Sequence, residues 1–216
     1  MEHILATNLN FFITQSDTSK MHAILLLVLV LVPWLRMAAS EQLRLPLECL
    51  KEYKKVVDKL GDEKDHCLRI QLIVNCFSKR PDESGLVLDD MRYLFTQESI
   101  FVKKLDICPD IDYDDLKTIT DKTSEYIAWY PYDDHWDDCA GLVHKKCIKK
   151  YLSLLRDGKL CNDVTAWIDC YDDEAEKSGC EAMILTHFKS MLRVVGKSVV
   201  KSIRRFMGAE CSKQEL

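Results

Sequence analysis

Apolar residues recur every three or four positions along most of the chain, which is the period of a helix with one buried face. The pattern is clear in segments 49–60, 67–77 and 89–104, and it runs longest from Met183 to Met207. Two-residue alternation, the mark of a half-buried strand, is scarce, and only 7 glycines are present to interrupt helices. The pattern predicts an all-α fold, a helical bundle.

The N-terminal 40 residues differ from the rest. The apolar run Ala23–Val32 is shorter than the stretch of about 20 residues that crosses a bilayer, and small residues precede Ser40. These features predict a signal peptide over residues 1–40, cleaved after Ser40. If Met21 is the true start, residues 1–20 are an upstream extension. An uncleaved anchor is less favoured, because a proline and an arginine interrupt the apolar run. No later segment reaches membrane-spanning length, so no transmembrane segment is expected.

Ten cysteines follow the predicted cleavage point, and none precedes it. An even number of cysteines behind a signal peptide favours disulfides, and the absence of any C-x-x-C argues against thioredoxin-like and zinc-ribbon sites. We therefore expect a secreted, extracellular protein. The cysteines are Cys49, Cys67, Cys76, Cys108, Cys139, Cys147, Cys161, Cys170, Cys180 and Cys211.

Two cysteine-bearing motifs occur twice, in the same order. Cys49 opens CLKEYKKVV and Cys147 opens CIKKYLSLL, while Cys67 opens CLRIQLIVNCF and Cys161 opens CNDVTAWIDCY. The paired motifs share their cysteine spacing and their main aliphatic and aromatic positions, which indicates an internal repeat. The prediction is two tandem helical repeats: residues 41–138, with an acidic linker, and residues 139–216.

Helix geometry restricts the disulfides. Within one helix, Cys67 and Cys76 would lie about 13 Å apart, whereas a disulfide needs Cα atoms within about 7 Å. In an antiparallel hairpin the start of one helix lies beside the end of the next, and the repeat extends this pairing to its second copy. Sequence alone leaves other connectivities open. The predicted pairs are Cys49–Cys76, Cys67–Cys108, Cys147–Cys170, Cys161–Cys211 and Cys139–Cys180.

Charge is unevenly distributed. The net charge is −5, yet residues 181–216 carry 7 Lys and Arg against 3 Asp and Glu. These cations follow helical spacing opposite an apolar stripe. One interpretation is a face that binds an anionic membrane or an acidic partner. The favoured one is a structural helix whose apolar stripe packs in the core while its basic side complements the acidic body. The face comprises Lys189, Arg193, Lys197, Lys201, Arg204 and Arg205.

Residues 129–139, WYPYDDHWDDC, place carboxylates and His135 among aromatic rings. Such groups can hold Ca²⁺ or Zn²⁺, but EF-hand and H-E-x-x-H spacings are absent. A linker between repeats is the favoured interpretation, and no metal or cofactor is expected. Catalytic motifs are also absent, and His66, His144 and His187 are scattered, so no enzyme is predicted and a hydrolase is the least favoured alternative. The acidic body argues against nucleic acid.

The chain ends in KQEL, residues 213–216, which is similar to ER-retrieval signals of the KDEL type. A working signal there would place the protein in the ER lumen. A four-residue pattern is often matched by chance, so secretion is the main expectation.

A signal peptide followed by duplicated cysteine-rich helices resembles secreted invertebrate proteins of the haemolymph 27-kDa glycoprotein type, over roughly residues 45–211. Insect odorant-binding proteins share the C-x8-C spacing but also have a C-x3-C that is absent here. The resemblance assigns no functional residues. We predict a non-enzymatic extracellular binding or interaction protein, for an unknown protein or a small apolar ligand enclosed by helices. The alternative is a membrane-active or host-directed effector that uses the basic helix.

Overall fold

The computed structural model describes residues 44–59, 65–124, 126, 138–156 and 160–202. All of them belong to one compact unit, Gln42–Leu216. The described part of the chain is helical and contains no strand, which confirms the all-α prediction. The predicted signal peptide, most of the acidic linker and the KQEL terminus lie outside the described residues.

Seven α-helices are present in the described part. They are α1 (Arg44–Lys59), α2 (His66–Phe77), α3 (Leu86–Lys104), α4 (Asp114–Thr123), α5 (Asp138–Arg156), α6 (Leu160–Ser178) and α7 (Met183–Met191). A π-helical turn, Leu192–Gly196, continues α7, and residues 197–202 are again α-helical. The predicted C-terminal helix is therefore interrupted by a wider turn, and its residues beyond 202 lie outside the described part.

Helix α3 is the central element. It packs against α1, α2, α4 and α7, and 14 of its 19 residues are buried. A helix surrounded on all sides is usually apolar all round. Helix α3 instead buries six polar or charged side chains, and these require partners inside the protein. They are Asp90, Arg92, Thr96, Gln97, Glu98 and Ser99.

Two side chains fix the entry into α3. The Asp89 carboxylate accepts hydrogen bonds from the Gly85 N–H (3.0 Å) and the Ser84 hydroxyl (2.6 Å), which caps the first turn. Arg92 has no exposed surface and reaches back into the preceding loop. Its guanidinium donates to four backbone carbonyls, so the loop between α2 and α3 is closed around one side chain. The acceptors are the carbonyls of Phe77 (3.0 Å), Lys79 (3.2 Å), Arg80 (2.9 Å) and Glu83 (2.6 Å).

Four disulfides join the described helices. Cys49–Cys76 links α1 to α2, and Cys67–Cys108 links the start of α2 to the loop after α3. Cys147–Cys170 and Cys139–Cys180 close the α5–α6 hairpin at two levels. All four are among the predicted pairs; Cys139–Cys180 is the one that the prediction left over outside the repeated pattern. The fifth predicted pair, Cys161–Cys211, lies outside the part whose side chains are described.

The two predicted repeats contribute to one hydrophobic core. Helices α1–α2 and α5–α6 are both hairpins with a disulfide between their two helices, at Cys49–Cys76 and Cys147–Cys170. The main core cluster takes residues from both halves of the chain, from Leu45 to Val199. The duplication itself stays a prediction.

Candidate functional site

Three helices meet at a buried chain of polar side chains, which we call the histidine–tyrosine chain: His66, His144 and Tyr171. The Nε2 atoms of His66 and His144 are 3.0 Å apart, and His144 Nδ1 is 2.8 Å from the Tyr171 hydroxyl. His66 begins α2, His144 lies on α5 and Tyr171 on α6. A neutral imidazole has one donor and one acceptor nitrogen, so the two hydrogen bonds of the histidine–tyrosine chain both point in the same one of two possible directions.

Burial fixes the charge state of this chain. Burial, reinforced by the Arg69 guanidinium, lowers the pKa of His66 to about 3. Burial also lowers the pKa of His144 well below its usual value and raises that of Tyr171. Both rings are therefore neutral at pH 7, as a hydrogen bond between two imidazole nitrogens requires.

The histidine–tyrosine chain is poorly placed for catalysis. His144 and Tyr171 have no exposed surface, and His66 is 7% exposed. A general base must reach a substrate proton, whereas these nitrogens contact each other and the Tyr171 hydroxyl. The geometry indicates a structural role that ties α2, α5 and α6 together. Sequence reasoning treated the histidines as scattered, because the contact joins positions far apart in the chain.

A second polar region, the α3–α4 groove, is open to solvent. It encloses a cavity of about 290 Å³. Helix α3 contributes Tyr93, Thr96, Gln97 and Ile100, and α4 contributes Lys117, Thr120 and Asp121, followed by Ser124 and Tyr126. Both sets follow the i, i+3, i+4, i+7 spacing of one helical face. Two facing helices thus line the groove, largely with polar side chains.

Hydrogen bonds order the floor of the groove. The Thr96 and Thr120 hydroxyls are 2.9 Å apart, and both residues are 2% exposed. The Thr120 hydroxyl donates to the Leu116 carbonyl at 2.8 Å, so Thr96 donates to Thr120. Gln97 beside them is 6% exposed, yet its carboxamide makes no hydrogen bond to another described residue. Its amide atoms stay accessible from the groove, where they can donate to and accept from water or a bound molecule.

The rim of the groove carries balanced charge and aromatic rings. Lys117 and Asp121 form an ion pair one helical turn apart on α4. The rings of Tyr93 and Tyr126 are tilted against each other, with centroids 4.8 Å apart. Burial, with Tyr126 nearby, raises the pKa of Tyr93 to about 12, so its hydroxyl is protonated at neutral pH. The rim therefore carries no net charge, and its polar groups can bind a small polar molecule.

The predicted basic face is partly engaged by the protein itself. Lys189 and Arg193 both pair with the Asp172 carboxylate of α6, at 3.2 and 2.8 Å. Burial opposes the ionisation of Asp172, but these two cations outweigh it and lower the pKa of the carboxyl group. Lys197 and Lys201 are exposed, and Arg204 and Arg205 lie outside the described residues.

The apolar stripe of the same helix faces the core as far as it is described. Phe188 stacks on Phe101 of α3 with ring centroids 4.0 Å apart, and Leu192, Val195 and Val199 are buried. Asp90 of α3 accepts a hydrogen bond from Ser198 at 3.0 Å. In the described part this helix is thus a packed structural element.

No metal centre forms among the described residues, where no three His, Cys, Asp or Glu side chains cluster. The acidic aromatic segment considered for Ca²⁺ or Zn²⁺ lies outside them as far as residue 137. In the same part of the chain, no helix is both long and apolar enough to cross a bilayer.

Sequence reasoning missed the α3–α4 groove. The available signal was Thr and Gln at positions 96 and 97, on a face of α3 that helical periodicity expects to be apolar, together with Lys117, Thr120 and Asp121 at matching spacing on α4. Pairing of the two faces depends on tertiary contacts. Comparisons with family models, with curated proteins and with solved structures found no match to this chain, so the assignment of a function rests on the geometry above.

Proposed function

We propose that the protein is a secreted, disulfide-stapled, non-enzymatic binding protein, and that the α3–α4 groove holds its ligand. The N-terminal apolar run followed by ten cysteines supports secretion. The observation that carries the binding site is Gln97, a largely buried residue whose carboxamide opens onto the cavity and has no hydrogen-bond partner among the described residues. Concave sites with a few fixed polar groups are typical of small-molecule binding.

The groove changes the expected ligand from apolar to polar. An apolar carrier needs a cavity lined by aliphatic side chains, whereas Ile100 is the one aliphatic residue that lines this groove. Polar side chains, among them His66, Arg69 and His144, are also buried inside the bundle. A polar ligand satisfies the groups that the groove presents, and an apolar one would leave them buried without partners.

A groove-blocking variant tests the proposal. Lys117→Trp places a bulky ring at the groove, and Lys122→Trp places the same ring at an exposed position of α4 that does not line it. The full chain, expressed through a secretory route, is screened by thermal shift and native mass spectrometry against a library of polar metabolites. We expect a ligand that raises the Tm of the wild type and of Lys122→Trp, and not of Lys117→Trp.

The matched pair of variants decides the outcome. A ligand that stabilises both tryptophan variants equally binds elsewhere, and this result would refute the groove as the site. A lipid extract is screened in parallel, and lipids that bind while no polar metabolite does would favour the apolar-carrier prediction instead.

A further inference from the structure

Charge balance in the groove restricts its ligand. Lys117 and Asp121 are the charged residues among the described ones that line it, and they neutralise each other. An anionic ligand would have to compete with Asp121 for the ammonium group, and a cationic one with Lys117 for the carboxylate. Both cases also bring like charges together at the rim of the groove, a modest cost because Lys117 and Asp121 are largely exposed. A neutral ligand avoids this cost.

Gln97 specifies the hydrogen bonds. A carboxamide presents a donor and an acceptor in one plane, and its neutral complement is another amide. Ser124 at the groove accepts a hydrogen bond from the Tyr126 N–H at 3.1 Å, so its own hydroxyl proton is available to donate. A ligand that combines an amide with hydroxyl groups therefore meets both features.

The remaining wall suits a ring with one apolar face. Ile100 is a buried lining residue on α3. Tyr126, which follows the C-terminal end of α4, contributes a half-buried ring to the opposite wall. Aromatic rings bind the apolar faces of saturated rings through dispersion while polar groups at the ring edge bond to side chains. The cavity of about 290 Å³ is near the lower limit for small-molecule sites, which restricts the ligand to the size of one sugar ring.

Resting on the proposed binding function, we infer that the α3–α4 groove binds a neutral acetamido sugar. The acetamido group pairs with the Gln97 carboxamide, a ring hydroxyl accepts from Ser124, and the sugar's apolar face lies on Tyr126. The sugar is either free or the end of a glycan, and the two sources share this chemistry. A single ring makes few contacts, so affinity for the free sugar falls in the millimolar range.

Matched sugars test the inference. Two-dimensional amide NMR follows the backbone amide signals of the groove residues, and in wild type also the Gln97 side-chain signal, while the oxidised full chain is titrated with N-acetylglucosamine, N-acetylgalactosamine, glucose and glucosamine. Glucose lacks the amide, and glucosamine replaces it with a cation. We expect either acetamido sugar to bind about tenfold more tightly than its two controls, the size of effect that one satisfied buried amide produces. Chitobiose against the monosaccharide separates a glycan end from a free sugar.

Two variants make the result specific. Gln97→Met keeps the side-chain length and removes the amide, so the preference for acetamido sugars should disappear. Ser124→Ala, at the more exposed edge, should weaken all four sugars similarly and covers the case in which Gln97→Met does not fold. A preference that survives Gln97→Met, or equal binding of glucose, overturns the ligand class. If another polar ligand then binds wild type and not Lys117→Trp, the proposed function stands; if none does, both fail.

Discussion

At the scale of single residues, the interior holds three titratable groups whose ionisation opposes folding. His66 and His144 are held neutral by burial, and burial alone raises the pKa of Glu98 to about 7. Unfolding returns each group to water and to its ordinary pKa. The two histidines then take up protons below pH 6.5, whereas Glu98 releases one above pH 4.5.

These directions predict stability that is greatest near pH 6.5. A histidine with a lowered pKa stabilises the fold at pH values above its ordinary pKa of 6.5, and this contribution is lost as the pH falls. Glu98 has a raised pKa, so it stabilises the fold below pH 4.5, and its contribution is lost as the pH rises through about 7. Between pH 4.5 and 6.5 the net uptake of about one proton makes the free energy of unfolding rise by roughly 1 kcal/mol per pH unit. Urea unfolding at a series of pH values measures the slope, and a flat profile would contradict the buried histidines.

Glu98→Gln isolates the opposite limb of the profile. The substitution keeps the shape of the side chain and removes the ionisation, so stability should no longer fall between pH 6.5 and 8. At pH 8 we expect Glu98→Gln to unfold at a higher urea concentration than wild type. The expected gain in its free energy of unfolding is roughly 1–3 kcal/mol. Glu176→Gln, on the exposed side of α6, is the control and should leave the profile unchanged.

Arg92 should be the most sensitive charged residue. Its replacement by Met leaves four buried or half-buried carbonyls without donors, and we expect a loss of about 3–5 kcal/mol in the free energy of unfolding. Arg92→Lys should recover little of this, because an ammonium cannot reproduce the fork that contacts all four. Arg193→Met serves as comparison: this arginine is exposed and paired with Asp172, so its loss should cost under about 1 kcal/mol in chemical denaturation. Similar costs at both sites would refute the clamp.

At the scale of elements, disulfide burial differs between the hairpins and their outer connections. Cys49–Cys76 and Cys147–Cys170 have sulfurs in the core, whereas Cys67 and Cys139 are partly exposed. Thiol attack requires access to a sulfur. Mild reduction under native conditions should therefore open Cys67–Cys108 and Cys139–Cys180 before the buried pairs Cys49–Cys76 and Cys147–Cys170. Alkylation at successive times followed by peptide mapping checks the order, and simultaneous loss of all four would indicate global unfolding instead.

Periodicity predicts the helices well because each buries one face, and the same logic predicts the disulfide partners of a hairpin. It fails where tertiary contact overrides it. Helix α3 is buried on most sides, so its polar residues give no sign of which neighbour satisfies them. The π turn at Leu192–Gly196 follows no local pattern; at Gly196 a side-chain carbon would lie 2.8 Å from Ile168 Cδ1, a close approach that exists only after α6 has packed.

At the scale of the whole molecule, one core takes in both predicted repeats, and the candidate site lies at its edge. Helical periodicity and the cysteines predict the fold class correctly, whereas the compartment predicted from the apolar N-terminal run stays a prediction. The predicted apolar ligand stays a prediction, because no pattern in the sequence shows which side chains meet at a cavity. Arg69, His144 and Glu98 are buried inside the fold, at positions that helical periodicity alone would assign to apolar residues.

The Arg92 clamp also has a consequence for resistance to proteases. Lys79 and Arg80 form a dibasic pair in the α2–α3 loop, a preferred sequence for trypsin-like and processing enzymes. Such proteases bind their substrates as extended segments, and both carbonyls of the pair are bonded to Arg92 Nη2 inside the fold. The loop is exposed at its side chains and fixed at its backbone. The bond after Lys79 should therefore resist cleavage for as long as the guanidinium stays in place.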